Sequence, residues 1–136
     1  MDRLQLSLVP LLGRILLAYI FITSGFGKLM NPAGAIGYIA SAGLPLPQVA
    51  VYVAVIVELV GGIALVVGFQ TRLVALVMAV FTLVTAFAFH NHMEDMGQAI
   101  NFMKNIAITG GFLQVVAFGA GALSLDAMMN RPRAYA

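Results

Sequence analysis

Two ionisable side chains lie inside otherwise apolar segments and are the first candidates for chemistry. Glu58 lies at the centre of an almost unbroken apolar run, residues 49–69, and Arg14 lies within an earlier one, residues 8–27. A carboxylate at the middle of a bilayer costs on the order of 2.5–3.5 kcal/mol on insertion scales, so it requires a partner or a purpose. The structural interpretation is a buried Arg14–Glu58 ion pair. The functional alternative is that Glu58, alone or with Arg14, binds or protonates a ligand held between helices.

A second group of polar residues falls where the apolar runs end: Lys28, His90, Lys104 and Asn105. Lysines at such positions are usually anchors whose ammonium groups reach the membrane surface. The alternative is a ligand site in which these residues hold a quinone head group and His90 hydrogen-bonds to a carbonyl or carries a proton. The chain has only two histidines. A zinc triad is therefore excluded, a bis-histidine haem within one chain is not expected, and no metal site is predicted.

The composition places these candidates in a membrane protein. The chain of 136 residues is 62% hydrophobic and 9% charged, with a mean hydropathy of +1.02, whereas soluble domains carry about 25% charged residues. It contains no cysteine, which excludes disulfides, thiol catalysis and iron–sulfur clusters. The few charges, with a net value of +2, give no nucleic-acid signal because basic and aromatic residues are not interleaved.

The pattern predicts an all-α membrane protein: a four-transmembrane-helix bundle with a short interfacial helix after the first span, forming a single domain over residues 1–136. About 20 apolar residues span a bilayer, and the predicted spans are approximately residues 8–27, 49–69, 73–90 and 102–123. Asn31-Pro32 is typical of a helix start and predicts the interfacial helix over residues 32–41. We expect this connection to fold over the mouth of the bundle. Thr71 and Asn101 are expected to cap the third and fourth spans.

The basic residues predict the orientation of the chain in the membrane. Four spans place both termini on one side, with Arg3, Arg72, Arg131 and Arg133 there and Lys28 and Lys104 on the other. This bias predicts that both termini are cytoplasmic. The first apolar segment contains Arg14 and lacks a small-x-small cleavage site, so it is expected to be retained as a span and not removed as a signal peptide.

A series of short motifs in order over nearly the whole chain carries a family resemblance: Gly13-Arg14-Ile15, Phe26-Gly27-Lys28-Leu29, Pro32, the Gly43-x-Pro45 linker, Glu58-x-x-Gly61-Gly62, Gly68-Phe69-x-Thr71-Arg72, His90, and Phe102-Met103-Lys104-Asn105 with Gly110-Gly111-Phe112. From about Leu12 to Asp126 the chain resembles the DoxX family of small bacterial inner-membrane proteins, in particular its YqjF-like branch. The resemblance implies a four-helix bundle in the bacterial inner membrane. Some members are named as subunits of quinone-linked oxidoreductases, and others are linked to oxidative or electrophile stress.

Three functions remain open at this point. The first is a quinone- or quinol-associated subunit without a redox centre of its own, in which Glu58 accepts protons at the midplane and a soluble or membrane redox partner supplies the electron-transfer centre. The second is a permease or binder of a small polar or aromatic compound, with Glu58 and Arg14 as its gate. The third is a structural anchor for a partner protein. No intrinsic cofactor is expected beyond a bound quinone, and assembly with a second copy of the chain is left open.

Overall fold

The computed structural model describes residues 3–130, and side chains from Ser7 onward. Within this range the chain is helical and contains no β-strand. The helices are α1 (Arg3–Met30), α2 (Pro32–Ser41), α3 (Pro47–Val67), α4 (Thr71–Phe89), α5 (Met96–Phe118) and α6 (Leu125–Met129). Arg131 and Arg133, on which the predicted orientation partly rests, lie outside the described residues, as does the side chain of Arg3.

The four long helices, α1, α3, α4 and α5, pack side by side, with α4 and α5 in the most extensive contact and α1 running along α3. We call the end of the bundle that carries α2 the α2 end, and the end that carries the α3–α4 turn and α6 the α6 end. The buried apolar core lies toward the α6 end and consists of Ala18, Phe21, Leu65, Ala75, Met78, Ala79 and Phe112. The α2 half is packed less completely, and this difference positions the site described below.

Three of the long helices are long and apolar enough to cross a membrane: Ser7–Met30 within α1, α3 and α4. Helix α5 has 23 residues but falls outside this group because its first half carries several polar side chains. It also begins earlier than predicted. The side chain of Asp95 accepts a hydrogen bond from the N–H of Gln98 and caps the helix, so the prediction that Asn101 would cap it was wrong. Gly119, with φ of 79°, ends α5 before the predicted boundary.

Helix α2 lies across one end of the bundle, as was predicted from the apolar connection between the first and second spans. The side chain of Asn31 accepts a hydrogen bond of 3.1 Å from the N–H of Gly34, and Pro32 is the first helical residue. The ring of Tyr38 stacks on Phe89 of α4, with ring centroids 5.4 Å apart and planes at 19°, while Ile39 is buried. Aromatic stacking of this kind adds about 0.5–1.5 kcal/mol to the burial of the rings. It ties α2 to the end of α4.

Helix α3 contains a π-helical segment, Ile56–Gly61, with Glu58 inside it. Such a segment inserts an extra residue into an α-helix and is frequent at functional sites. Helix α1 approaches most closely here because Gly25 has no side chain: a Cβ at this position would lie 2.9 Å from both Glu58 Cβ and Leu59 Cγ. The glycine and the widened turn together bring Glu58 against α1.

Gly25→Ala should destabilise the protein by about 1–3 kcal/mol, because the added methyl group overpacks the contact between α1 and α3. Gly27→Ala is the matched control on the same helix, since a Cβ there meets nothing within 4 Å. This control should be neutral or stabilising by up to about 1 kcal/mol, because alanine favours the helix. Thermal unfolding in detergent measures both variants, and equal melting temperatures would contradict the close approach at Gly25.

Candidate functional site

A cavity of about 490 Å³ lies between the helices in the α2 half of the bundle. Four of the six candidate residues line it: Lys28 from α1, Glu58 from α3, His90 at the end of α4, and Asn105 from α5. Helix α2 closes over the same space. The walls between these polar groups are apolar, as is usual for sites that bind small molecules.

The floor of the cavity is an ion pair between Lys28 and Glu58. Lys28 Nζ lies 2.9 Å and 2.8 Å from the two carboxylate oxygens, and the Glu58 side chain is 7% exposed. Ser24 Oγ accepts a hydrogen bond of 2.7 Å from Lys28 and donates one of 3.3 Å to Glu58 Oε1. Side chains in a helix lean toward its N-terminus, so Lys28 reaches back over Ser24 into the bundle. The predicted partner of Glu58, Arg14, is therefore replaced by Lys28.

Arg14 lies in the other half of the bundle and is almost fully buried. Its Nη1 donates hydrogen bonds of 2.9 Å to the carbonyl oxygens of Leu65 and Val66, and its Nη2 donates to that of Leu123. The carbonyls in the last turn of a helix lack partners within it, and Arg14 satisfies two of them at the end of α3. The predicted ion pair does not form because Gly25 is the residue of α1 that lies opposite Glu58, about 16 Å along the helix from Arg14.

Asp126 fastens the C-terminal segment to the turn between α3 and α4. Its two carboxylate oxygens each accept a hydrogen bond of 2.8 Å, one from the N–H of Gln70 and one from that of Thr71, and its own N–H donates to Gly68 O. Partial burial acts to raise the pKa of Asp126, but these hydrogen bonds and the charge of Arg14 outweigh it and hold the pKa below its usual value. Thr71 thus starts α4 without capping it, contrary to prediction.

A group of polar residues on α4 and α5 lines the cavity opposite the ion pair. Asn105 Nδ2 lies 3.3 Å from Thr85 Oγ1 and 3.4 Å from the carbonyl oxygen of Thr82. Both threonines also line the cavity. Asn105 was selected from the sequence, whereas the two threonines were not among the candidate residues.

His90 lies at the α2 end of the cavity, and its Nδ1 is 2.7 Å from Gln98 Oε1. With Nδ1–H donating to that amide oxygen, Nε2 of a neutral imidazole is an acceptor. Lys104, by contrast, is exposed and does not line the cavity. His92 forms a surface pair with Glu94 at 3.1 Å. The candidates thus separate into four residues around one cavity, with Lys104 and Arg14 elsewhere.

The cavity combines hydrogen-bond donors, acceptors and apolar walls. Lys28 and Asn105 carry donor groups, Glu58 and His90 carry acceptor groups, and all four line the same mainly apolar space. Sequence reasoning missed Ser24, although its position four residues before Lys28 places both on one helix face. It also missed the π-helical segment, for which the sequence carries no local signal.

The sequence profile of the DoxX family matches residues 9–91, and the chain belongs to this family. It is 42% identical over 124 residues to the inner membrane protein YqjF of Escherichia coli strain K12, covering 89% of this chain and 92% of that protein. It is 41% identical over 121 residues to the inner membrane protein YphA of the same organism, covering 85% and 86%. No solved structure gives a significant match. Together with its three apolar helices, these relatives identify the chain as a DoxX-type inner membrane protein.

Asp126→Asn should destabilise the protein at pH 7 by about 1–2 kcal/mol, because hydrogen bonds to a charged acceptor become bonds to a neutral one. The lowered pKa of Asp126 sets the sign of the pH dependence. The carboxylate contributes stability above its unfolded pKa, and this contribution is lost as the pH falls through the folded pKa. The difference in melting temperature between the two proteins should therefore narrow below about pH 4.

Asp95→Asn provides the control, since asparagine caps a helix about as well as aspartate does and Asp95 lies in an exposed loop. A loss of stability in Asp126→Asn that stays constant from pH 7 to pH 3 would contradict the assigned role of the Asp126 charge.

Proposed function

We propose that the cavity binds the ring of a membrane quinone or quinol, and that the protein acts as a quinone-associated subunit in redox or oxidative-stress physiology. The observation that carries the proposal is the convergence of the Lys28–Glu58 pair, Asn105 and His90 on one mainly apolar cavity. Its volume of about 490 Å³ lies within the usual range for small-molecule sites.

The polar groups match the two ends of a quinone ring. The ammonium group of Lys28 suits one carbonyl oxygen of the quinone, and the amide NH₂ of Asn105 suits the opposite one. Nε2 of His90 is an acceptor and suits a hydroxyl group of the quinol. A ligand that bonds to Lys28 also has Glu58 beside it, because both carboxylate oxygens lie within 3 Å of Lys28 Nζ. The same two residues therefore offer a donor to a quinone and an acceptor to a quinol hydroxyl.

Proton transfer is the chemical task that these residues suit. Oxidation of a quinol releases two electrons and two protons. The Glu58 carboxylate is placed to accept one proton, and Nε2 of His90, which lines the same cavity, is placed to accept the other. Lys28 offsets the desolvation of the carboxylate when it is charged. The electrons would pass to a redox centre in a partner protein, either soluble or membrane-bound. In this proposal the chain binds the ligand and accepts its protons, and it is not a complete enzyme.

The proposal extends to topology. Helix α5 would be the fourth span, since it packs along α4 over much of its length and its polar residues near the cavity face protein. The four spans would form one domain in the bacterial inner membrane, with both termini in the cytoplasm and the α2 end on the opposite side. Orientation follows the excess of arginine expected at the cytoplasmic surface.

Two other functions account for the geometry less well. A permease requires a path through the bundle, and the proposed gate of Glu58 with Arg14 is absent because Arg14 binds the carbonyls at the end of α3. The α6 half is also filled, with the rings of Phe21 and Phe112 in contact at 5.3 Å between centroids. A structural anchor has no need of a cavity lined by an ion pair and further polar side chains. Assembly with a second copy is compatible with all three functions.

The matched substitutions Lys28→Met and Lys104→Met test the proposal, because one lysine lines the cavity and the other is exposed. The probe is a 1,4-benzoquinone with a ten-carbon tail, and its equilibrium affinity is measured with the protein in lipid nanodiscs. Lys28→Met and Glu58→Gln should each weaken binding at least about tenfold, corresponding to about 1.4 kcal/mol. Lys104→Met should change affinity by less than about twofold.

Breaking a buried pair leaves an uncompensated charge and destabilises a protein, so the double variant Lys28→Met/Glu58→Gln serves as a folded, neutral comparison. Loss of binding in this folded variant supports the quinone site. Unchanged quinone affinity in all three cavity variants rejects it. Flux of a polar solute into liposomes that depends on Glu58 would favour the permease, and unaltered partner recruitment by the double variant would favour the anchor.

A further inference from the structure

The cavity is covered at the α2 end but open at its side. Helix α2 contributes Ala35, Tyr38 and Ile39 to the lining, and the stacking of Tyr38 on Phe89 connects this cover to α4. A ligand in the cavity is therefore separated from the α2 end of the bundle by a packed helix. A ligand must therefore enter the cavity through the side of the bundle.

The opening at the side lies between the first half of α3 and the second half of α4. Contacts between these helices concentrate in the π-helical segment and the turns after it. A Cβ on Gly61, for example, would lie 3.3 Å from Met78 Sδ. Beyond this point, toward the α2 end, the helices diverge. Val53 and Val84 line the cavity and are 51% and 59% exposed. We call the opening between these two valines the side gap.

The side gap and the ion pair differ sharply in polarity. Both rim residues are valines, whereas the charged groups lie at the floor. Glu58 is about 7.5 Å farther along α3 than Val53. Val53 and Val84 lie about 9 Å and 7.5 Å from the ends of their helices at the α2 end, so both are below the surface of an apolar layer that these helices cross. A molecule with a polar ring at the floor would have its apolar portion directed through the side gap into lipid.

We propose that the side gap passes the hydrocarbon tail of the bound ligand into the bilayer, so that the site takes tailed, amphipathic ring compounds delivered from the lipid phase. This inference rests on the proposed function and adds the class of ligand and its route. It requires that contacts at the side gap contribute to affinity for a tailed ligand and not to affinity for the bare ring.

Tryptophan substitutions that fill the side gap test this requirement. Val53→Trp and Val84→Trp alter the rim. Val60→Trp and Val77→Trp are the controls on the same two helices. Val77 lies seven residues from Val84 on nearly the same face of α4, and Val60 lies in the π-helical segment of α3, beyond the side gap. Both control valines are exposed, at 62% and 46%, and neither lines the cavity. The two probes share one 1,4-benzoquinone ring, which carries a ten-carbon tail in one probe and a methyl group in the other.

The rim variants should weaken binding of the tailed probe in nanodiscs at least about tenfold, while affinity for the methyl probe changes less than about twofold. The control variants should change neither affinity. A second measurement uses the absence of cysteine from the chain. The tailed probe should slow alkylation of V84C by a membrane-permeant maleimide, the methyl probe should not, and V77C should react at the same rate with either.

Equal weakening of both probes by the rim variants, together with no protection of V84C, would overturn the inference while leaving the quinone site intact. Selective loss of the tailed probe in Ile20→Trp and not in Val84→Trp would also overturn it, since the tail would then leave beside α1. The inference would also be overturned if the wild type bound the methyl probe more tightly than the tailed probe. Failure of the wild type to bind either probe would instead remove the proposed function itself.

Discussion

The burial of one carboxylate constrains the α2 half of this protein more than any other interaction. An ionised Glu58 between apolar helices is tolerable only with a cation and further hydrogen bonds around it. Lys28 and Ser24 supply these from a single face of α1. Their contact with Glu58 requires α1 and α3 to approach closely, which Gly25 permits. The ion pair, Gly25 and the widened turn of α3 therefore depend on one another, because each requires the close contact between α1 and α3.

The two halves of the bundle differ in how their polar groups are used. In the α6 half, Arg14 and Asp126 bind backbone groups at helix ends, and the surrounding apolar core is filled. In the α2 half, the polar side chains pair with one another around a cavity. The polar groups of the α6 half thus hold helix ends together, and those of the α2 half line a cavity. The basic residues of α1 illustrate the division, since Arg14 serves the first and Lys28 the second.

The sequence predicted features that depend on local chemistry. Hydropathy located the apolar helices, and Asn31-Pro32 located the start of α2. Four candidate residues also lie around one cavity, because polar side chains in apolar helices tend to face protein. The sequence pattern did not predict contacts between distant segments. Whether Lys28 or Arg14 pairs with Glu58 depends on the register between α1 and α3. The hydrogen bonds of Asp126 join residues more than fifty positions apart.

The π-helical segment has a consequence for the phase of α3. One inserted residue turns everything that follows by about 100° around the helix axis. Ala54 lies before this segment and Leu65 after it, and both are buried. The inserted residue thus allows the two parts of α3 to face the protein interior although their helical phases differ. Deleting a single residue between Ile56 and Gly61 would restore a regular helix. The part of α3 after the deletion would then be rotated about the helix axis relative to the part before it. Either the carboxylate or the packed end of α3 would then face lipid, so this helix tolerates changes of side chain more readily than a change of length.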